Sequence, residues 1–330
     1  MNLPVTNTMP AFRLSSERTS VSRGASGTPA NAYHDALMHE LEPPGSTLDQ
    51  PTTTGSDRVC IRGRELVLTD LVDRRLRDPA HLKALRKQMA TAKPFPHLVA
   101  ESMFNPVLLE LVREEFDLEQ TTHLHALRTS HESTYRSPIR PDLGPATQLY
   151  FGVVNSGWFI EMLAFVSETS DLIPDVSLFG GGMHETRAGG AFDVHRDFDR
   201  HPHTGLLNEM VFITYLNRDW NPQWKGALEL WDMNRKACVT TVLPEFGRSI
   251  LMKRTPDSFH GHPHPLNPPE GLTRRSVASY YYSNPEGLEA RSKRGGAVFV
   301  VRKPVDRVKS IVRMLVPPIV WAVLRRTVGH

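Results

Sequence analysis

The chain has 330 residues, 39 Lys and Arg against 36 Asp and Glu, a net charge of +3 and 39% hydrophobic residues. Its longest apolar run, 314–324, is too short for a bilayer and is split by Pro317-Pro318, and the near-balanced charge argues against a nucleic-acid binder. Two cysteines, Cys60 and Cys238, make no disulfide framework, and the first residues lack the apolar stretch of a secretory signal, so a cytoplasmic protein is expected.

Residues 1–57 are rich in Ser, Thr, Pro and Gly and too poor in aliphatics to offset the entropy of ordering them. They read as a disordered tail, with a short helix at most over 33–41. Val59-Cys60-Ile61 and Leu66-Val67-Leu68, flanking Arg62-Gly63-Arg64, read as a hairpin. Helical spacing runs over 81–89 and again over 106–116, where Asn105 can cap and Pro106 occupies the first turn. Pro94-Phe95-Pro96-His97-Leu98-Val99 reads as a strand entry, and a third helix is expected over 158–167.

After Ile173 short apolar runs alternate with Gly, Pro, Asn and Asp up to about 301. The clearest strands are 212–216, 227–231, 249–252 and 277–282, and many short strands with turn signals point to a sandwich or barrel. The expected layout is a support region over 58–172, a β-rich core over 173–302 and a basic amphipathic segment over 303–330. That last segment predicts a helical tail that docks on the protein body, on a second copy as a homodimer, or on a membrane surface.

The chemistry concentrates in Asp193-Val194-His195-Arg196-Asp197-Phe198. His195 and Asp197 are two apart, so on a strand they face the same way. An imidazole and a carboxylate on one face offer two corners of a metal site, and a second His from a distant strand completes a facial triad with positions left open. The candidate is His260 in Ser258-Phe259-His260-Gly261-His262-Pro263; His262 and His264 share its strand parity and stay open on parity alone. A jelly roll brings such distant strands together.

Fourteen residues on, Arg274-Arg275-Ser276-Val277-Ala278-Ser279-Tyr280 begins a strand that puts Arg274, Ser276, Ala278 and Tyr280 on one face. An inward Arg needs an anion, because an unpaired buried guanidinium is prohibitively costly. A dicarboxylic co-substrate meets that need: its keto-acid end chelates a metal and its far carboxylate takes the Arg and a hydroxyl.

From about 178 to 282 the sequence resembles the prolyl-4-hydroxylase-like group of the iron(II)/2-oxoglutarate-dependent oxygenase superfamily. The matching phrases are Gly189-Gly190 with Phe192 before His195-Arg196-Asp197; Phe212-Ile213-Thr214-Tyr215-Leu216-Asn217; Trp224-Lys225-Gly226-Ala227-Leu228-Glu229-Leu230-Trp231; Phe246-Gly247-Arg248-Ser249; the His260 phrase; and Arg274-Arg275-Ser276. The resemblance implies an α+β fold with a double-stranded β-helix (jelly-roll, cupin-like) core, N-terminal supporting helices and a C-terminal helical tail. It implies iron(II) on His195, Asp197 and His260, and 2-oxoglutarate on Arg274, Ser276 and Tyr215, with oxygen as co-substrate and ascorbate supportive. It selects His260 over His262 and Arg274 over Arg275. The expected reaction is hydroxylation of an unactivated carbon of an amino-acid, peptidyl or secondary-metabolite substrate, with release of succinate and CO2. The carboxylate at Asp197 argues against the halogenating branch. Two departures stand out: Glu185 and Thr186 fill positions where many relatives carry a tyrosine, and Lys225 replaces a glycine.

Two rival readings are a cupin-like metal protein with non-oxidative chemistry, which does not need Arg274 beside the metal, and a jelly-roll binding module without catalysis. His201 and His203 read as exposed loop residues, and Trp220, Trp224 and Trp231 as packing and turn covers.

Overall fold

The computed structural model describes residues 57–118, 123–234, 236–284 and 297–300. The tail expected over 1–57 lies outside these except for Asp57, as do the helix over 33–41 and the C-terminal segment over 303–330 with its homodimer or membrane contact.

The first described element is the expected hairpin, β1 (Arg58–Ile61) and β2 (Arg64–Val67). Its two-residue turn, Arg62-Gly63, has φ of 48° and 73°. Such a turn requires positive φ at both central positions, which matches the twist of the flanking strands. Helix α1 (Pro79–Thr91) starts on Asp78, whose side chain accepts from the Ala80 amide at 3.0 Å. After β3 (His97–Ala100), α2 (Pro106–Glu114) is capped by Asn105, as its sequence predicts, through a 2.8 Å bond from the Val107 amide.

Strands β4 (His125–Arg128) and β5 (Ser133–Arg136) follow, then α3 (Pro145–Val154) and α4 (Gly157–Ser167). The sequence reading missed α3, because nothing local caps it: its N-cap is Gly144. Glu115 caps it from a distance, accepting from the Ala146 and Thr147 amides at 2.9 and 2.8 Å and from the Thr147 hydroxyl at 2.6 Å. A Cβ at residue 144 would stand 2.3 Å from Glu115 Cδ, so only glycine admits this carboxylate. No single described helix is long and apolar enough to cross a membrane; α3 and α4 pass that test only as a pair, bent by 50°. Both helices bury apolar residues in the core.

The remaining strands are β6 (Ile173–Pro174), β7 (Gly182–Thr186), β8 (Phe192–Arg196), β9 (Leu207–Tyr215), β10 (Leu228–Asp232), β11 (Ala237–Val242), β12 (Ser249–Lys253), β13 (Phe259–His262), β14 (Arg274–Ser283) and β15 (Val298–Phe299). They form a larger sheet in the order β3-β12-β9-β14-β7-β5-β4, with β6 on β14, and a smaller one in the order β11-β10-β13-β8-β15. Every pairing within the two sheets is antiparallel. Inward residues of both sheets line one cavity, so the sheets face each other as the two walls of a jelly roll. This is the expected α+β architecture.

Period-two alternation decides what reaches that cavity. On β9, Val211, Ile213 and Tyr215 point in, while Phe212 points out to Phe104 and Phe159 (ring centroids 6.1 and 5.5 Å apart). Thr214, also outward, accepts a 2.8 Å bond from the Tyr150 hydroxyl. On β14, Arg274, Ser276, Ala278 and Tyr280 line the cavity, while Val277 and Tyr281 join the helices in the main core. The aromatic and aliphatic side chains of this outer core each contribute roughly 1.5–3 kcal/mol on burial, which holds the larger sheet against the helices. Among the described residues Cys60 and Cys238 form no disulfide.

Candidate active site

His195 on β8 lies directly opposite His260 on β13, and Asp197 follows the end of β8. The donor atoms of His195, Asp197 and His260 all lie within 4.8 Å of one another, and all three residues are buried. His195 Nε2 stands 3.4 Å from Asp197 Oδ1, and His260 Nε2 stands 3.8 Å from Oδ2.

The tautomers follow from local backbone. His195 Nδ1 donates to the Asp193 carbonyl at 2.8 Å, and His260 Nδ1 donates to the Ser258 carbonyl at 3.0 Å. A carbonyl only accepts, so each ring carries a proton on Nδ1 and turns Nε2 toward Asp197, the orientation a metal ligand needs. Phe192 stacks on His195 at 3.9 Å and 24° and fixes the ring plane.

Burial works against ionisation of Asp197, but His260, His195 and the Tyr280 hydroxyl outweigh it and hold its carboxyl below the usual range. The Tyr280 hydroxyl donates to Asp197 Oδ2 at 3.2 Å. Burial pushes the His260 imidazole down despite the pull of Asp197. Two imidazoles that turn Nε2 toward one carboxylate form a donor set suited to a divalent transition metal.

Arg274 opens the facing wall and is 6% exposed. Its Nε donates to the Gly226 carbonyl at 2.7 Å, and its guanidinium lies over the Tyr215 ring, 5.0 Å from the centroid. No described carboxylate pairs with it. Arg275 points the opposite way and pairs with Asp117 at 2.5 Å, so of the two arginines Arg274 is the one that lines the cavity. Ser276 lies between Tyr215 and His184 in register. Two more buried polar atoms on this cavity make no hydrogen bond of standard geometry among the described residues, the Tyr215 hydroxyl and His262 Nδ1. A buried guanidinium without a counter-ion beside an unsatisfied hydroxyl is costly unless an anion completes it. Together with the two Nε2 atoms turned toward Asp197, this donor set fits iron and a dicarboxylate.

His262 therefore lines the cavity without joining the triad; it stands across from Phe192, and burial pushes its imidazole far down. His264 pairs with Glu229 at 3.1 Å. His203 is exposed, but His201 corrects the expectation: it is buried, and its Nδ1 accepts from the His203 and Thr204 amides at 3.2 Å each. Trp220 is buried and donates to the Lys225 carbonyl at 2.9 Å, a packing role as expected.

The sequence reading assigned no role to His184, Thr134, Arg136 or Glu132, which also line the cavity. Burial lowers the His184 imidazole to about 3, so it stays neutral. These residues sit on β7, β5 and the turn before β5, strands without a clean apolar alternation. Thr186 faces the cavity where relatives carry tyrosine, whereas Glu185 faces away and pairs with Arg187 at 3.3 Å. Lys225 adopts φ 64° and ψ −155°, a region that only glycine occupies without strain. This explains why a glycine is expected there.

Residues 181–310 match the profile of the 2OG-Fe(II) oxygenase superfamily. Among solved structures, the chain is similar to a Pseudomonas putida prolyl-4-hydroxylase (16% identity, TM-score 0.43, covering 62% of this chain and 100% of that one). It is also similar to a Trichoplax adhaerens prolyl hydroxylase in complex with a hypoxia inducible factor peptide fragment (14%, 0.44, 61% and 89%). A third is HygX from Streptomyces hygroscopicus with nickel and 2-oxoglutarate bound (13%, 0.42, 62% and 92%). No curated protein sequence matches the chain. The match to the 2OG-Fe(II) oxygenase superfamily thus covers the stretch that supplies His195, Asp197, His260 and Arg274.

Proposed function

We propose that the protein hydroxylates an unactivated carbon of a small-molecule or peptidyl substrate, with release of succinate and CO2. One observation carries this reading: a single cavity has an open His-Asp-His donor set on one wall and a buried, anion-less arginine on the other. His195, Asp197 and His260 would hold iron(II) through Nε2, a carboxylate oxygen and Nε2. When bound, iron with 2-oxoglutarate supplies the oxidising power, the keto acid ending as succinate and CO2.

The remaining work falls to the chain itself. Arg274 offers a fork to the far carboxylate of 2-oxoglutarate, with the Tyr215 hydroxyl as a further donor and Ser276 alongside. The carbonyls of Asp193 and Ser258 each hold an Nδ1 proton and leave Nε2 facing the metal side. Val211, Ile213, Leu228 and Ala278 make the walls apolar, which excludes water from the reacting atoms. Asp197 fills the carboxylate position, which supports hydroxylation over halogenation. The non-oxidative reading leaves Arg274 buried without its anion.

The test is purified protein with iron(II), ascorbate, oxygen and 2-oxoglutarate, screened for succinate release across amino-acid, peptide and secondary-metabolite substrates. Substrate-stimulated succinate with a product heavier by one oxygen is expected. No succinate with any substrate would refute the reading.

A further inference from the structure

We propose that Arg136 and Glu132 bind the α-carboxylate and α-ammonium of a free amino-acid substrate in the cavity that holds the His195–Asp197–His260 triad. The proposal rests on the functional reading above and narrows its substrate class.

Arg136 sits opposite His184, which sits opposite Ser276, so one row of inward side chains runs from Tyr215 across three neighbouring strands to Arg136. Glu132 pairs by a backbone bridge with Phe192, the ring stacked on His195. This ion pair therefore stands where the two sheets close on each other, next to the metal-ligand wall. The Arg136 charge is felt by both His184 and Tyr280, and Tyr280 in turn touches Asp197.

The pair is incompletely used. Arg136 Nη2 and the Thr134 hydroxyl both donate to Glu132 Oε1, each at 2.6 Å. Glu132 Oε2 and the Nε and Nη1 of Arg136 make no hydrogen bond among the described residues. Their side chains are 10% and 27% exposed, so they are sheltered but reachable from the cavity. A fork with free N–H groups takes a carboxylate in bidentate fashion, and a carboxylate with a free oxygen takes an ammonium.

Charge accounting selects the ligand. The carboxylates and guanidinium groups on the cavity are Asp197, Arg274, Glu132 and Arg136. A divalent metal with dianionic 2-oxoglutarate balances Asp197 and Arg274 to zero. Glu132 and Arg136 also cancel. A substrate with a lone carboxylate would leave a net negative charge in a poorly solvated site, and a lone ammonium would leave a positive one; a zwitterion leaves neither. Residues inside a peptide carry no such head group, so the pair favours a free amino acid over a peptidyl substrate.

The experiment loads the full chain anaerobically with iron(II) and 2-oxoglutarate and titrates it calorimetrically with each free L-amino acid. The best binder is then compared with its N-acetyl and methyl-ester forms. A visible metal-to-ligand absorption band, recorded first, reports the loaded site independently: its absence would refute the underlying functional reading. With the band present, at least one free amino acid is expected to bind, and each blocked form to bind at least about tenfold more weakly. Arg136→Met is expected to lose about thirtyfold or more in affinity with the band unchanged. The charge-neutral double variant Glu132→Gln/Arg136→Met, which leaves no unpaired buried charge, should fold and show the same loss. The proposal is overturned if no amino acid binds to protein showing the band, if either blocked form binds as well as the free one, or if the folded double variant keeps wild-type affinity.

Discussion

The two walls of the cavity are built on different principles. On the smaller sheet each metal-directed imidazole is oriented by the carbonyl two residues before it, Asp193 for His195 and Ser258 for His260. On the larger sheet Arg274 is oriented by groups far away in the chain, the Gly226 carbonyl and the Tyr215 ring. The first wall carries its own orientation within a tripeptide and is complete apart from the metal. The second depends on loops meeting correctly, and it ends in polar atoms that only a ligand completes. Metal binding should therefore be insensitive to the distant loops, and co-substrate binding sensitive to them.

The largest expected effect breaks the first wall. His195→Ala or Asp197→Ala should reduce turnover to background and cost more metal affinity than the roughly 10–100-fold typical of losing an outer partner, measured by succinate release and iron titration. Next comes the second wall alone. Arg274→Met should weaken 2-oxoglutarate binding by about 2–5 kcal/mol, thirtyfold or more, while iron affinity stays near wild type. Equal losses of both ligands would erase the distinction between the walls.

Gly226→Ala probes the supporting loop. A Cβ there would stand 3.1 Å from Arg274 Cδ and 3.3 Å from Trp220 Cζ2, on a residue with φ of 77°. The variant should lose about 1–3 kcal/mol of stability and raise the KM for 2-oxoglutarate severalfold without changing iron affinity. Acid should act on the interior of the metal-free protein. Burial lowers the imidazoles of His97, His184, His260 and His262. The unfolded chain then binds more protons than the fold below pH about 6.5, so stability falls as pH drops through that value; His184 alone, lowered to about 3, contributes roughly 1.4 kcal/mol per pH unit over that window. Thermal melts at neutral pH and near pH 5.5 check this. The smallest effect is a gain: Lys225→Gly relieves the backbone strain and should raise stability by about 1 kcal/mol, seen as a rise of a few degrees in Tm.

Legibility in the sequence followed the same division. His195 and Asp197 were readable because strand parity is a local property, and the inward face of β14 was readable for the same reason, whereas His260 was singled out only by the family resemblance. Helix α2 announced itself through Asn105 and Pro106, whereas α3 did not, because its cap is Glu115, some thirty residues earlier. Parity left His262 open as a ligand. In the fold the cross-strand register, which pairs His260 with His195 and His262 with Phe192, separates them. Arg136 and Glu132 escaped notice because their significance lies in the pairing of β5 with β7 and the bridge to Phe192, and no spacing along the chain encodes either. His201 looked like a loop residue and is one, but its ring is tucked against Phe179 and Tyr282 at 4.9 and 5.3 Å.

The most direct measurement is anaerobic calorimetric titration of iron(II) into the wild-type chain and into the single variants His195→Ala, Asp197→Ala and His260→Ala. The wild type should take up one ion per chain, and each folded variant should lose that binding. A variant that still binds one ion with unchanged affinity would contradict the assignment of these three side chains to a common metal.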